Sequence, residues 1–195
     1  MNNSASTSEY QIKEISLEVL HQQMDLWGSR IFRDNDTSMN TAHVFSDSEK
    51  ENIKRLHKNI SQAFSLRLGV YKGEEFCGWF CGEQQTAESF YMRNTAIYPD
   101  HRRKGLYTAL LDAVIERVKA EGFQYIYSRH CTTNNAIIIP KLKRGFKITS
   151  LEVSDRFGTL VHLSYYFNPL RKDIMTFRSG DAKPSEAVKK ALGIP

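Results

Sequence analysis

A chain of 195 residues suits one domain, and its 41% hydrophobic and 25% charged residues describe an ordinary soluble core that needs neither disulfides nor metal. The net charge of +5 and a pI near 9.1 favour an anionic ligand, while the lack of a long Lys/Arg block with interleaved aromatics argues against a nucleic-acid binder. Three cysteines, Cys77, Cys81 and Cys131, make no disulfide framework, no apolar run reaches the roughly 20 residues of a membrane span, and the polar N-terminus lacks a signal-peptide pattern, so a cytoplasmic protein without membrane contact is expected.

In chain order, residues 1–9 are polar and expected to fray. Leu17, Leu20, Met24, Leu26 and Trp27 fit one face of a helix from Ser16 to Ile31. A loop from Arg33 to Asn40 carries Asp34 and Asp36, which could attract a cationic amine or simply be solvated. Ser46 with Glu49 forms a capping-box pattern ahead of Ile53, Leu56 and Ile60, which predicts a second helix. Strands are predicted over Ser65–Tyr71 and Glu75–Cys81 around a Lys72-Gly73-Glu74 turn, and over Ser89–Ile97. The strongest helix runs from Arg102 to Glu121, on Leu106, Ala109, Leu110, Ala113, Val114 and Val118, and Gly122 ends it. Then come a strand (Phe123–Arg129), a short helix (Asn134–Arg144) and two closing strands (Phe146–Val153 and Thr159–Phe167). This order predicts an α/β mixed sheet flanked by helices over residues 1–168, followed by a C-terminal extension over 169–195.

Chemistry concentrates in the stretch from Ile97 to Thr108, a strand end, a Pro99-Asp100 turn and a basic entry into the long helix. The first N–H groups of a helix lack internal acceptors and sit at the positive end of its dipole, so a phosphate suits them. Gly105 permits close approach, and Arg102, Arg103 and Lys104 add charge; basic residues facing water on a plain strand-turn-helix would account for the same pattern. The stretch resembles motif A of the GNAT acetyltransferases, with Arg102, Gly105 and Leu106 matching, followed by Leu110-Leu111, and Tyr107 standing where a small residue is usual. Downstream, Asn134, Ala136, Gly145 and Phe146 resemble motif B, an Asn-led helix that ends in Gly-Phe.

The resemblance covers about Ser65 to Phe167 and implies a mixed, mostly antiparallel GNAT sheet. It implies acetyl-CoA, or a close acyl-CoA, as cosubstrate, bound by Ala96, Ile97, Tyr98, Arg102, Arg103, Lys104, Gly105, Leu106, Tyr107, Thr108 and Asn134, with no metal. The reaction implied is direct attack of an amine on the thioester, with an N–H donor for the thioester oxygen around Ala96 to Tyr98. Candidates near that strand are Glu83 and Glu88 as bases, each also readable as a solvated loop carboxylate, and Tyr91 and Arg93 within it. Alternation places Tyr91, Arg93, Thr95 and Ile97 on one face. Cys77 and Cys81 are expected to share a face as small buried apolar residues, and His130 and Cys131 to be packed or solvated.

Many relatives carry a Tyr four residues before the motif B glycine, and it protonates the departing thiolate; here that position is Lys141. Tyr107, Tyr127, Lys141 itself and water are the alternatives for that proton. Pro140 beside it predicts a kink or an early end to the helix. The missing Tyr keeps open a second reading, a GNAT-like module that binds CoA without turnover. The run His162 to Tyr166 and the tail after Pro169 are candidates for covering a site or forming a homodimer contact.

Overall fold

Residues 8–31, 46–48, 51 and 63–195 are described in a computed structural model of the chain. Seven strands among them form one sheet in the order β1-β2-β3-β4-β5-β7-β6. These are β1 (Tyr10–Glu14), β2 (Ser65–Lys72), β3 (Glu75–Gln84), β4 (Ser89–Ile97), β5 (Tyr125–Cys131), β6 (Lys147–Ser154) and β7 (Gly158–Tyr166). Every neighbouring pair is antiparallel except β4 and β5, which run parallel. The helices are α1 (Leu17–Ile31), α2 (Leu106–Ala120), α3 (Asn135–Lys143), α4 (Pro169–Arg178) and α5 (Glu186–Leu192). The mixed sheet flanked by helices is therefore as expected. The helix expected after Ser46 falls largely outside the described residues, and the loop with Asp34 and Asp36 wholly so. Among the described residues, no helix is long and apolar enough to cross a membrane.

Neighbouring residues on a strand point to opposite faces, and the sheet accordingly holds two apolar clusters. Phe80, Phe90, Ile126 and Leu163 pack with Leu110, Val114 and Val118 of α2. Trp79, Ala96 and Tyr98 pack with Leu20 of α1, where Trp27 stacks on Tyr98 with ring centroids 4.4 Å apart. The tail beyond residue 168 is docked onto this body: Asn168 caps α4, Arg171 lies over the Tyr125 and Tyr166 rings, Lys147 pairs with Asp181, and Val188 of α5 is buried.

Several expectations need correction. Strand β1 was not foreseen; it pairs along β2, from Tyr10 opposite Lys72 to Glu14 opposite Leu68. Helix α2 begins at Leu106 rather than Arg102, because Arg103 (φ 60°) and Gly105 (φ 78°) both adopt left-handed backbone, which a right-handed helix excludes. Cys77 and Cys81 lie on opposite faces, one in each cluster. The cause is a β-bulge: Val70 faces Gly78 and Tyr71 faces Phe76, so Cys77 is the extra residue that reverses the alternation.

A second bulge bends β4. Cys81 faces Asn94 and Gly82 faces Met92, leaving Arg93 as the extra residue. Ile97 consequently joins Phe90 and Met92 in the larger cluster, and the single face expected for Tyr91, Arg93, Thr95 and Ile97 does not exist. Both bulges lie beside glycines that tolerate no side chain. A Cβ on Gly78 would sit 2.4 Å from the Ala96 carbonyl oxygen, and one on Gly82 would sit 2.6 Å from that of Tyr91. Gly78→Ala must push β3 and β4 apart. It is expected to lower the unfolding free energy by about 2 kcal/mol in chemical denaturation, the scale of an overpacked core.

Candidate active site

The site is built where β4 and β5 separate. Their parallel pairing covers three positions, Ser89 with Tyr125, Phe90 with Ile126 and Tyr91 with Tyr127, and then stops. Beyond it, β4 stays on β3 and bends at the Arg93 bulge, while β5 stays on β7, so the strands diverge as a V. The opening holds a cleft of about 410 Å³, whose walls include Met92, Arg93, Thr95, Tyr107, His130 and Lys141. Tyr98 donates its backbone N–H to the Cys77 carbonyl at 2.9 Å, toward β3. Antiparallel alternation therefore turns Asn94 and Ala96 the same way, and turns the backbone groups of Thr95 and Ile97 to the open gap. Of the segment expected to supply an N–H donor, Tyr98 is already bonded and Ile97 faces the gap.

At the wide end of the V, Pro99–His101 form a 3-10 turn that leads into α2. His101 is buried and anchors this turn, its Nδ1 3.1 Å from the Tyr10 hydroxyl and its Nε2 3.2 Å from Glu75. Glu75, Cys77 and His101 bring possible metal-ligand atoms within 4.8 Å of one another, the one such grouping among the described residues. Arg102 folds back and donates from Nε to the Ile97 carbonyl at 3.0 Å, and Lys104 reaches the Tyr10 hydroxyl at 3.4 Å. Arg103 and Thr108 are exposed. Leu106 is buried in the core, so its contribution to a ligand is its backbone.

The left-handed Gly105 serves as the helix cap, and the first helical bond comes from the Ala109 N–H to its carbonyl. The amides just ahead of Ala109 have no acceptor inside the helix, which makes the turn a cradle for an anion. Tyr107 points inward onto the core and lines the cleft, where its hydroxyl is buried without a hydrogen-bond partner among the described residues. Burial pushes that phenol's pKa well up. A buried hydroxyl left unpaired is costly, and a polar ligand in the cleft would relieve it. Asn134 occupies the cap position of α3 but makes no capping bond, and its side chain lines the cleft instead.

The other wall comes from α3. Pro140 does not end this helix, which continues to Lys143. The bond that proline removes is the one to the Ala136 carbonyl, and Ala136 is exposed, so water can take its place. Gly145 (φ 96°) closes the helix, with Phe146 N–H donating to the Lys141 carbonyl and Gly145 N–H to that of Leu142, a Schellman motif. Lys141 is thereby fixed in the last turn and fully buried, at 2% exposure. Its Nζ donates to Ser128 Oγ at 2.7 Å, lies 3.4 Å from Met92 Sδ and sits 5.2 Å from the centre of the Phe146 ring. Burial lowers its pKa to about 7. His130 Nε2 lies 2.9 Å from the same Ser128 hydroxyl, and burial followed by the Lys141 charge lowers its pKa to about 2, so it is neutral.

Of the remaining candidates, Arg93, Glu83 and Tyr91 gather at the mouth. Arg93 is exposed and ion-paired with Glu83, whose Oε1 also accepts from Gln85 at 3.1 Å. The Tyr91 ring lies tilted against that of Tyr127, with centroids 5.1 Å apart, and its hydroxyl accepts from Arg129, which in turn grips Glu152. Tyr127 lies between Tyr91 and His162, away from the cleft walls. Glu88 pairs with Arg171 of α4, remote from the mouth. Tyr91 and Arg93, singled out as catalytic candidates, and Tyr107 and Asn134, singled out for CoA, all line the one cleft. Ser128 was missed, because a serine within a strand carries no sequence signal.

Residues 30–146 match the model of the acetyltransferase (GNAT) family. No curated protein matches the chain by sequence. Among solved structures, the ribosomal-protein-S18-alanine N-acetyltransferase of Escherichia coli shares 16% identity at a TM-score of 0.58, covering 82% of this chain and 94% of its own. A spermidine N-acetyltransferase of Vibrio cholerae shares 15% at 0.59, covering 82% and 94%. A GNAT family acetyltransferase of Elizabethkingia anophelis with acetyl-CoA bound shares 14% at 0.55, covering 82% and 99%. At these identities the likeness is one of fold, whereas the family match spans more than half of the sequence. The chain belongs to the GNAT acetyltransferase family.

Proposed function

We propose that this protein is an N-acetyltransferase that passes the acetyl group of acetyl-CoA to an amine of a small molecule or peptide by direct attack. One observation carries the reading: a helix start whose first amides have no acceptor inside the helix adjoins, at Tyr107, a V-shaped cleft that runs on to a charged mouth. A ligand anchored by its phosphates at Gly105 would lie along the exposed backbone edge of Thr95 and Ile97, with Arg103 adding charge at the turn and Asn134 and Tyr107 on the facing wall. Acetyl-CoA supplies the activated thioester. The residues at the mouth would handle the amine, which must lose a proton from a pKa near ~10 before it attacks. Glu83, held by Arg93, would draw in the ammonium and take up the proton through water, and Tyr91 would form the adjoining wall. The alanine and spermidine acetylating neighbours act on amines, which supports an amine acceptor here.

Calorimetric titration with acetyl-CoA, with CoA and a nucleotide lacking the thioester as controls, tests the binding half. Mass spectrometry of a panel holding spermidine, an aminoglycoside and an alanine-initiated peptide tests the transfer half. Micromolar acetyl-CoA binding with acetylation of a panel amine is the expected result. Binding without transfer to any amine would point to the non-catalytic CoA-binding module, and no binding would end the acyltransferase reading.

A further inference from the structure

The bulge in β3 turns Cys77 to the side of the sheet that packs on α2, and its buried thiol lies beside Glu75 and His101. One ligand atom from each of the three falls within 4.8 Å of the other two, so a single point lies within about 2.8 Å of all of them. Zinc bonds to sulfur, imidazole nitrogen and carboxylate oxygen are about 2.0–2.3 Å long, so a contraction of under about 1 Å closes the set on an ion. A histidine held between a tyrosine and a carboxylate is by itself an ordinary structural contact. Three features go further here. The thiol belongs to the extra residue of a bulge, a device that re-aims one side chain. The His101 ring is fixed from its far side, Nδ1 lying 3.1 Å from the Tyr10 hydroxyl and Nε2 facing Glu75 at 3.2 Å, as a metal-bound imidazole is oriented through its second nitrogen. Backbone bonds through Tyr98 hold the donors in place: its N–H donates to the Cys77 carbonyl, and its carbonyl accepts from the His101 N–H, both at 2.9 Å.

We propose that Glu75, Cys77 and His101 form a zinc site that pins the turn ahead of α2 to strand β3. Cys77 binds as the thiolate and releases its proton to water, His101 binds as neutral imidazole through Nε2, and Glu75 binds through one carboxylate oxygen. Thiolate and carboxylate together balance a divalent charge. The neighbouring cations are engaged elsewhere, Lys72 with Glu9 and Lys104 at the Tyr10 hydroxyl. Sulfur with imidazole selects zinc over magnesium and calcium, which take oxygen ligands. Glu75 is exposed, so the fourth tetrahedral position opens to water on that side. None of the three residues lines the cleft, and His101 stands just before the left-handed Arg103 and Gly105. The ion therefore holds the turn from behind, and the site stands whether or not the acetyl-CoA reading does.

Equilibrium dialysis of the reduced, chelator-treated full chain against zinc tests this. The parent should bind one zinc ion with a Kd of about 1 µM or tighter, and cobalt in its place should show a thiolate charge-transfer band. Cys77→Ser keeps the size of the side chain and can make the same hydrogen bond to the Glu75 carbonyl. It should lose the band and weaken zinc binding by at least about 100-fold. Glu75→Gln changes an exposed side chain that the fold does not need; it should keep the band and bind zinc about tenfold more weakly. Cys131→Ala, outside the cluster, should change neither. No zinc on the parent, a band that survives Cys77→Ser or is lost in Cys131→Ala, or an affinity untouched by Glu75→Gln would each overturn the proposal. If Cys77→Ser does not fold, the cobalt band of the parent and of Cys131→Ala, with the zinc affinity of Glu75→Gln, decides alone.

Discussion

Gly105→Asp is expected to weaken acetyl-CoA binding by at least about 100-fold in calorimetry, roughly 2.7 kcal/mol. Two effects combine. Gly105 holds φ at 78°, where a side chain is strained, although Asp and Asn tolerate that region better than most residues. The larger effect is electrostatic, since the substitution sets a carboxylate among the amides that would face the phosphates, at the positive end of the α2 dipole. Gly105→Asn separates the two, because it has nearly the same shape and backbone tolerance without the charge. It should weaken binding by no more than about tenfold, the scale of local backbone strain. Equal losses in the two variants would mean that the turn matters through its shape alone, and would remove the anion cradle from the argument. The carboxylate itself should be tolerated by the fold: Gly105 is exposed, and an acidic residue at a helix start favours the helix.

The turn was legible because it depends on local rules. A proline, three cations and a glycine ahead of an apolar periodicity describe a helix start whichever fold surrounds it, and the anion logic follows. The cleft behind the turn was not legible from periodicity, because it depends on bulges. Alternation assigns faces on the assumption of an unbroken ladder, and the extra residues at Cys77 and Arg93 each reverse it. Hence Ile97 lies with Met92 rather than with Tyr91, and the faces of the two β3 cysteines were misjudged. Only glycines at 78 and 82 hinted that β4 passes unusually close to β3. Strand β1 escaped notice because five residues at a sheet edge carry two apolar positions, too few to signal a period. The helices of the tail were expected only as an extension, although Asn168 ahead of Pro169 and Ser185 ahead of Glu186 are sound cap signals. The burial of Lys141 runs against its residue type. A lysine near a helix end reads as a favourable charge at the dipole's negative pole, and nothing local says that this one turns inward beneath the parting of two strands.

That burial should make stability depend on pH in a way that Lys141→Met abolishes. The Lys141 pKa falls to about 7 in the folded protein from the model-peptide value of about 10.4. Between these values the unfolded chain binds more protons than the folded one, so stability rises with pH, by up to about 1.4 kcal/mol per unit for this one group. Below about 7 both states are protonated and the folded protein bears the whole desolvation cost; above about 10.4 both are neutral and the cost is gone. Methionine never carries the charge, so the variant should exceed the parent in unfolding free energy by several kcal/mol at pH 6, an advantage that shrinks steadily as the pH rises to about 9. Taking the difference between the two proteins cancels other groups that titrate in this range, such as Cys81, which burial pushes up to about 11. Urea denaturation of parent and variant at matched pH provides the measurement. A difference independent of pH would mean that Lys141 keeps an ordinary pKa, through water that reaches its ammonium, and that the apex of the V is wet. A parent less stable than its methionine variant at low pH would show that the chain gives up stability at the point where its two central strands part.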